Sequence, residues 1–268
     1  MKTYAEHYKK CRASMGTPNQ DSRYKSVYDL TLDSNFLPQD DEYQRIVDSV
    51  SKKVSKKIDN NEGCFHVPFA TYLNEWRDIE ELRDLANLFM PLIEREVFHC
   101  NAKIEFVMPY RNLACENSPE ASWLWHYDDC PKEFIKLAIC LNETTEDNGC
   151  LQYLVGPDGT TPVIPSFRDS PYRPVMRQVF AGSRIPREVM DRSVESGAIV
   201  NNLVGPCGTH ALLTPNIPHR ATIPKLGSTP RESIWFFIRP TIKKYDSYIS
   251  EATYSILPQR NTKRYDLD

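Results

Sequence analysis

The sequence predicts a single α+β domain that is mainly β. A helical N-terminal portion packs on a C-terminal core of short strands, arranged as a sandwich or barrel of the jelly-roll kind. Three observations predict it. Long helical periodicity is confined to roughly the first hundred residues. Beyond residue 101 the chain breaks into short runs rich in β-branched and aromatic residues, punctuated by Asn, Gly and Pro. With 268 residues, 40% of them hydrophobic and 11% aromatic, there is enough apolar side chain for one sizeable core.

The elements follow in order. Residues 1–100 are taken as the helical portion. Within them, residues 41–57 (DEYQRIVDSVSKKVSKK) space Ile46, Val47, Val50 and Val54 at helical intervals, which predicts an amphipathic helix. A longer helix is predicted over residues 75–99. Ile79, Leu82, Leu85, Leu88, Phe89, Leu92, Ile93 and Val97 form its apolar stripe, and Pro91 should kink or split it. Residues 101–245 are taken as the jelly-roll core, with strands at KIEFVMPY, FIKLAICLN, GCLQYLV, GAIVNNLV, THALLTP and ESIWFFIRP. An insert over residues 168–192 carries six arginines against three acids, with a short helix predicted near residues 186–193. Residues 246–268 are left as a tail.

Charge and composition narrow the function classes. A formal net charge of −3 argues against a nucleic-acid binder, which needs a basic excess. No apolar run approaches the length of a membrane span, and the opening MKTYAEHYKKCR has no apolar export segment. The expectation is a soluble, cytoplasmic protein. Its eight cysteines show no CxxC pair and no zinc-ribbon spacing, so they are expected to be reduced thiols.

The chemistry centres on WHYDD. On an extended segment, side chains two apart share a face, so His126 and Asp128 converge while Tyr127 turns away. Two ligands hold a catalytic metal poorly, and a third should come from elsewhere. His210 in GTHALLTP and His219 in TPNIPHRATIP both qualify. Two histidines and one carboxylate bind Fe(II) and leave positions open for further ligands, unlike a closed structural zinc site.

The order of features after His126 then carries a resemblance. WHYD, LNETTEDNGCLQYLVG, LLTPNIPHRA and the Arg-x-Ser of Arg231-Glu232-Ser233 before the last strand resemble the Fe(II)/2-oxoglutarate-dependent oxygenases, in their phytanoyl-CoA dioxygenase-like branch. The resemblance covers about residues 75–242. It implies a double-stranded β-helix, the cupin-like form of the jelly roll. It implies Fe(II), 2-oxoglutarate and O2 as cofactors, with His126, Asp128 and His219 on the metal. Arg231 would pair with the distal carboxylate of 2-oxoglutarate, assisted by Ser233. A guanidinium suits that task because its fixed fork matches a carboxylate. His219 is preferred to His210 because it lies twelve residues before Arg231, one strand-turn-strand step, whereas His210 lies 21 before it. The sequence departs from the family where a Pro-Gly-Ser-His signature often follows the Asn-Gly strand; here Val155 to Thr160 reads VGPDGT.

The implied reaction oxidises a small organic substrate while 2-oxoglutarate is decarboxylated to succinate; because the carboxylate ligand is present, hydroxylation is expected, or a desaturation or ring-forming variant of it. Tyr110, Arg111, Trp123 and Asp129 are candidates for the substrate pocket by sequence proximity. The Arg-rich insert, Arg173 and Arg177 included, would attract an anionic substrate if it caps the barrel mouth. Three alternatives stay open at this stage: a non-catalytic cupin-like metal-binding module, an iron oxygenase that does not use 2-oxoglutarate, and a zinc hydrolase on the same ligands.

Overall fold

The computed structural model describes residues 4–15, 21–114, 121–128, 130–158, 184–250 and 252–254. The insert's Arg168, Arg173 and Arg177, the Gly159-Thr160 step and most of the C-terminal tail lie outside the described residues.

The core is a double-stranded β-helix built from two antiparallel sheets facing one another. The larger sheet contains β1 (Leu32–Asp33), β2 (Cys64–Val67), β3 (Ala70–Leu73), β4 (Ala102–Asn112), β5 (Ile135–Cys140), β8 (His210–Leu213) and β10 (Glu232–Pro240), in the order β1-β8-β5-β10-β4-β3-β2. A short strand, β11 (Thr253–Tyr254), adds parallel to β4. The smaller sheet is β7 (Ile199–Leu203), β6 (Leu151–Val155) and β9 (His219–Ala221), with β6 central.

Strand alternation sorts the larger sheet into two faces. Ile135, Leu137 and Ile139 of β5 and Ile234, Phe236 and Ile238 of β10 join the helices in one apolar cluster. Ala138, Cys140, Trp235 and Phe237 join the interior cluster with Leu151 and Ile217. In register, Lys136 lies opposite Phe237, Ala138 opposite Trp235 and Cys140 opposite Ser233. Lys136 is therefore carried on the interior face of β5, in an otherwise apolar row.

Four α-helices are described: α1 (Tyr4–Ser14), α2 (Asp41–Asp59), α3 (Glu81–Ile93) and α4 (Arg187–Glu195). Helix α2 covers the predicted segment, and its start is set by Asp40, whose carboxylate accepts from the Tyr43 amide at 2.9 Å. Tyr43, Ile46, Val47, Val50, Val54 and Ile58 form its buried face. The predicted helix of residues 75–99 is shorter than expected. Residues 75–80 make turns around the buried Trp76, with the Ile79 amide bonded to the Trp76 carbonyl at 3.0 Å. Pro91 stays inside α3, and the chain after it widens into a π-turn over Glu94–Phe98. A proline has no N–H for the bond back to the preceding turn, and a widened turn is one way to absorb that loss.

The N-terminal portion is less helical than its composition suggests, since β1, β2 and β3 belong to the larger sheet. The β2–β3 pair carries CFHV and ATYL around a two-residue turn, too short for periodicity to reveal.

The Asn-Gly motif steers the chain from one sheet to the other. Asn148 accepts from the Thr145 amide at 2.9 Å and donates to the Glu143 carbonyl at 2.8 Å, closing a short 3₁₀ turn. Gly149 then takes φ +94°, and a Cβ there would meet Asn112 Nδ2 and Pro224 Cγ at 2.9 Å each. Gly149→Ala is expected to lower stability by about 1–2 kcal/mol from the backbone alone, with the steric contacts adding to it. Urea denaturation checks this; an unchanged midpoint would refute the account of the turn.

Candidate active site

His126 and His219 face each other across an antiparallel bridge. The His126 amide donates to the His219 carbonyl at 3.0 Å, and the His219 amide donates back at 2.8 Å. The Asp128 amide donates to the Pro215 carbonyl at 2.9 Å, which holds the extended segment two residues further on. The three side chains converge: one ligand atom from each of His126, Asp128 and His219 lies within 4.8 Å of the others. The imidazole centroids are 4.4 Å apart.

Both rings are oriented by their own backbone neighbours. His126 Nδ1 bonds to the Leu124 carbonyl at 2.8 Å and His219 Nδ1 to the Ile217 carbonyl at 2.7 Å. A carbonyl only accepts, so both Nδ1 atoms carry the proton and both Nε2 atoms keep a lone pair for a metal. Burial pushes the pKa of His126 down to about 4, with the Arg184 and Lys136 charges acting in the same sense and Asp128 opposing. Burial, and then Lys136, hold His219 well below the ordinary value. Both imidazoles are therefore neutral at pH 7.

A pH dependence of stability follows. The unfolded imidazole titrates near pH ~6.5, and the folded His126 near 4. Between these the unfolded state binds more protons, so stability of the metal-free protein falls as pH drops from ~6.5 toward 4. Melting temperature against pH checks it. His126→Asn should flatten the decline, and an equally steep decline in that variant would refute the assignment.

The sequence reading missed Lys136. Its ammonium donates to Asp128 Oδ2 at 2.5 Å and lies 3.4 Å from His219 Nε2. It stands 4.2 Å from the Trp235 ring centroid and 5.0 Å from that of Phe237, an aromatic shelf of the sort that attracts cations. Lys136 and the imidazoles together hold the Asp128 carboxyl far below the ordinary range, although burial alone would raise it. The signal was a lone lysine on the inward parity of a strand that otherwise reads as wholly apolar.

Arg231 immediately precedes β10, and Ser233, the second residue of β10, lies opposite Cys140 on the interior face. Arg231 is 2% exposed, and its Nη2 donates to the Tyr110 hydroxyl at 2.8 Å. Trp235 Nε1 donates to the same oxygen at 3.2 Å. Arg231 Nε and Ser233 Oγ are buried with no hydrogen-bond partner among the described residues. Buried donors are normally satisfied. Two left open on adjacent inward positions fit an anionic acceptor such as a carboxylate.

The remaining candidates separate. Tyr110 joins the site by holding Arg231. Arg111, on the opposite parity of β4, does not: it pairs with Glu232 at 2.5 Å and Asp59 at 2.7 Å on the helix side of the sheet. Trp123 is buried against Phe69 and lines a groove of about 640 Å³ with Trp125 and Arg220. Asp129 lies outside the described residues. His210 is fully buried, and its Nε2 accepts from the Leu37 amide at 3.0 Å, so it is committed to packing away from the triad.

The sequence matches no protein-family model and no curated protein. Solved structures do match. EctD from S. alaskensis in its apoform is 11% identical with a TM-score of 0.53, over 90% of this chain and 85% of that one. EctD with 2-oxoglutarate and 5-hydroxyectoine is 12% identical with a TM-score of 0.52, over 84% and 79%. SnoN, a non-haem α-ketoglutarate-dependent epimerase from nogalamycin biosynthesis, is 12% identical with a TM-score of 0.52, over 87% and 83%. The likeness is one of fold: this chain shares their jelly-roll architecture.

Proposed function

We propose that the protein is a non-haem Fe(II)/2-oxoglutarate-dependent oxygenase that hydroxylates a small organic substrate. The observation that carries this reading is the pairing, in one barrel, of the His126–Asp128–His219 cluster with the unpartnered buried donors of Arg231 and Ser233. A metal-binding module would need only the cluster. The donor set of two neutral imidazoles and one carboxylate suits Fe(II). EctD and SnoN, which share the fold, bind or depend on 2-oxoglutarate.

In this reading His126, Asp128 and His219 hold the metal, and Arg231 and Ser233 hold the distal carboxylate of 2-oxoglutarate. When bound, iron and 2-oxoglutarate supply an oxidant from O2, with release of succinate and carbon dioxide. The protein's own residues bind and orient. Tyr110 fixes the Arg231 fork. Nδ1 bonds fix both imidazoles. Trp235, Phe237, Leu151 and Ile217 wall the interior and exclude water. Asp128 fills the carboxylate position, which favours hydroxylation over halide transfer. We read residues 1–268 as one oxygenase domain acting on a small molecule rather than on nucleic acid. The setting is a reducing cytoplasm, consistent with seven described cysteines that are all thiols. Among the described residues no helix is long and apolar enough to cross a membrane.

The test is anaerobic titration with Fe(II) and 2-oxoglutarate, followed by the weak visible metal-to-ligand charge-transfer band. A band in the wild type that is lost in His126→Ala supports the proposal. Wild-type protein that binds iron but gives no band refutes it in favour of a metal-binding module.

A further inference from the structure

Among the described residues, the triad lies beside more positive charge than its single carboxylate balances. Arg184 is joined to His126 in an antiparallel bridge. Residues directly opposite in such a pair project from the same face, so Arg184 leaves the backbone on the side of the candidate metal ligands. Its charge is felt there: it lowers the pKa of His126, and Asp128 acts on it in return. Arg184 is half-buried, and its Nη1 is buried with no hydrogen-bond partner among the described residues. No carboxylate among the described residues lies within ion-pair distance of it. Lys136 is the second cation, 5% exposed, and among the described residues it forms an ion pair only with Asp128.

Among the described residues, Asp128 is the one acid whose charge acts on His126, His219 and Arg184. If the oxygenase reading holds, that carboxylate is committed to a divalent metal. The two charges of 2-oxoglutarate are then shared between the metal and Arg231. Among the described residues, Lys136 and Arg184 are then left without counter-charge in a half-desolvated interior, a costly state that an incoming anion relieves. Arg184 offers the planar fork that matches an oxyanion, and Lys136 a point charge anchored on the Trp235 ring.

We propose that the substrate is an organic oxyanion, a carboxylate or a phosphate ester, and that Arg184 with Lys136 forms its recognition site beside the triad. This rests on the oxygenase reading for its charge count, while the site itself is read from side chains in place.

The experiment is calorimetric titration of protein loaded anaerobically with Fe(II) and saturating 2-oxoglutarate, so that the Arg231 site is filled. The probes are acetate, inorganic phosphate and neutral acetamide. At least one oxyanion is expected to bind about tenfold or more tightly than acetamide, and the stronger of acetate and phosphate names the headgroup. Arg184→Gln is expected to weaken that oxyanion about tenfold or more. Arg184→Lys keeps the charge without the fork and should weaken it to an intermediate degree, so it still decides the matter if Arg184→Gln fails to fold. Oxyanion binding unaltered by either substitution, or equal binding of acetamide, overturns the proposal. The charge-transfer band in the same samples keeps the two readings apart. A band without Arg184-dependent binding overturns the substrate class alone. Arg184-dependent binding without a band supports the oxyanion site and overturns the oxygenase reading.

Discussion

Asp128→Ala is expected to abolish metal binding and also to destabilise the metal-free protein. The first effect follows because two imidazoles alone hold Fe(II) poorly. The second follows from Lys136, whose ammonium would remain 5% exposed with its only ion-pair partner among the described residues gone. Removing one partner of a buried pair typically costs about 3–5 kcal/mol. The 23% exposure of Asp128 places the expected loss at the lower end, about 3 kcal/mol. Lys136→Met in the same background should restore most of the stability and none of the metal affinity, since a similar apolar side chain can lie on the Trp235 ring without needing a counter-charge. Urea denaturation of the single and double variants, with calorimetric iron titration, separates the two effects. A single variant as stable as wild type would show that the Lys136–Asp128 pair matters little. Retained iron affinity would remove Asp128 from the site.

The second large effect concerns Arg231→Gln, which is expected to raise the dissociation constant for 2-oxoglutarate about 10- to 100-fold while leaving iron affinity unchanged. Hydrogen bonds to charged groups contribute about 1.5–3 kcal/mol each, and Arg231 is buried with its Nε open to an acceptor. Arg231→Lys should recover only part of the loss, because a point charge cannot reproduce the fork that Tyr110 pre-orients. Ser233→Ala, which removes one neutral donor, should cost less. Titration of the iron-loaded variants with 2-oxoglutarate measures all three. Unchanged affinity in Arg231→Gln would send the distal carboxylate elsewhere in the barrel and remove the main support for the oxygenase reading.

Much of the architecture was legible because its causes are local. Short, nearly continuous apolar runs in ESIWFFIRP and FIKLAICLN mark strands buried on both faces, and both lie in the middle of the larger sheet. The spacing of Ile46, Val47, Val50 and Val54 marks α2. The shortened α3 and the strands at residues 64–73 were not legible, because the first depends on how Trp76 packs and the second on which edge of β4 lies free.

The same division applies to the site. By itself the sequence determined that His126 and Asp128 share a face, since period-two alternation is a property of one strand. It also placed the Arg-x-Ser of Arg231 and Ser233 at the entry to the last long strand. The sequence already preferred His219 to His210 by its distance to Arg231, and only the tertiary structure supplied the physical reason. His219 is bonded across from His126, whereas His210 is spent on the Leu37 amide. It also turned Arg111 outward to Asp59 and Glu232, and brought Lys136 and Arg184 to the triad from segments ten and 58 residues beyond His126 in the chain. Parity along a strand is fixed by backbone stereochemistry, but which strands become neighbours is fixed by burial of the whole apolar surface, and that is a sum over the entire chain.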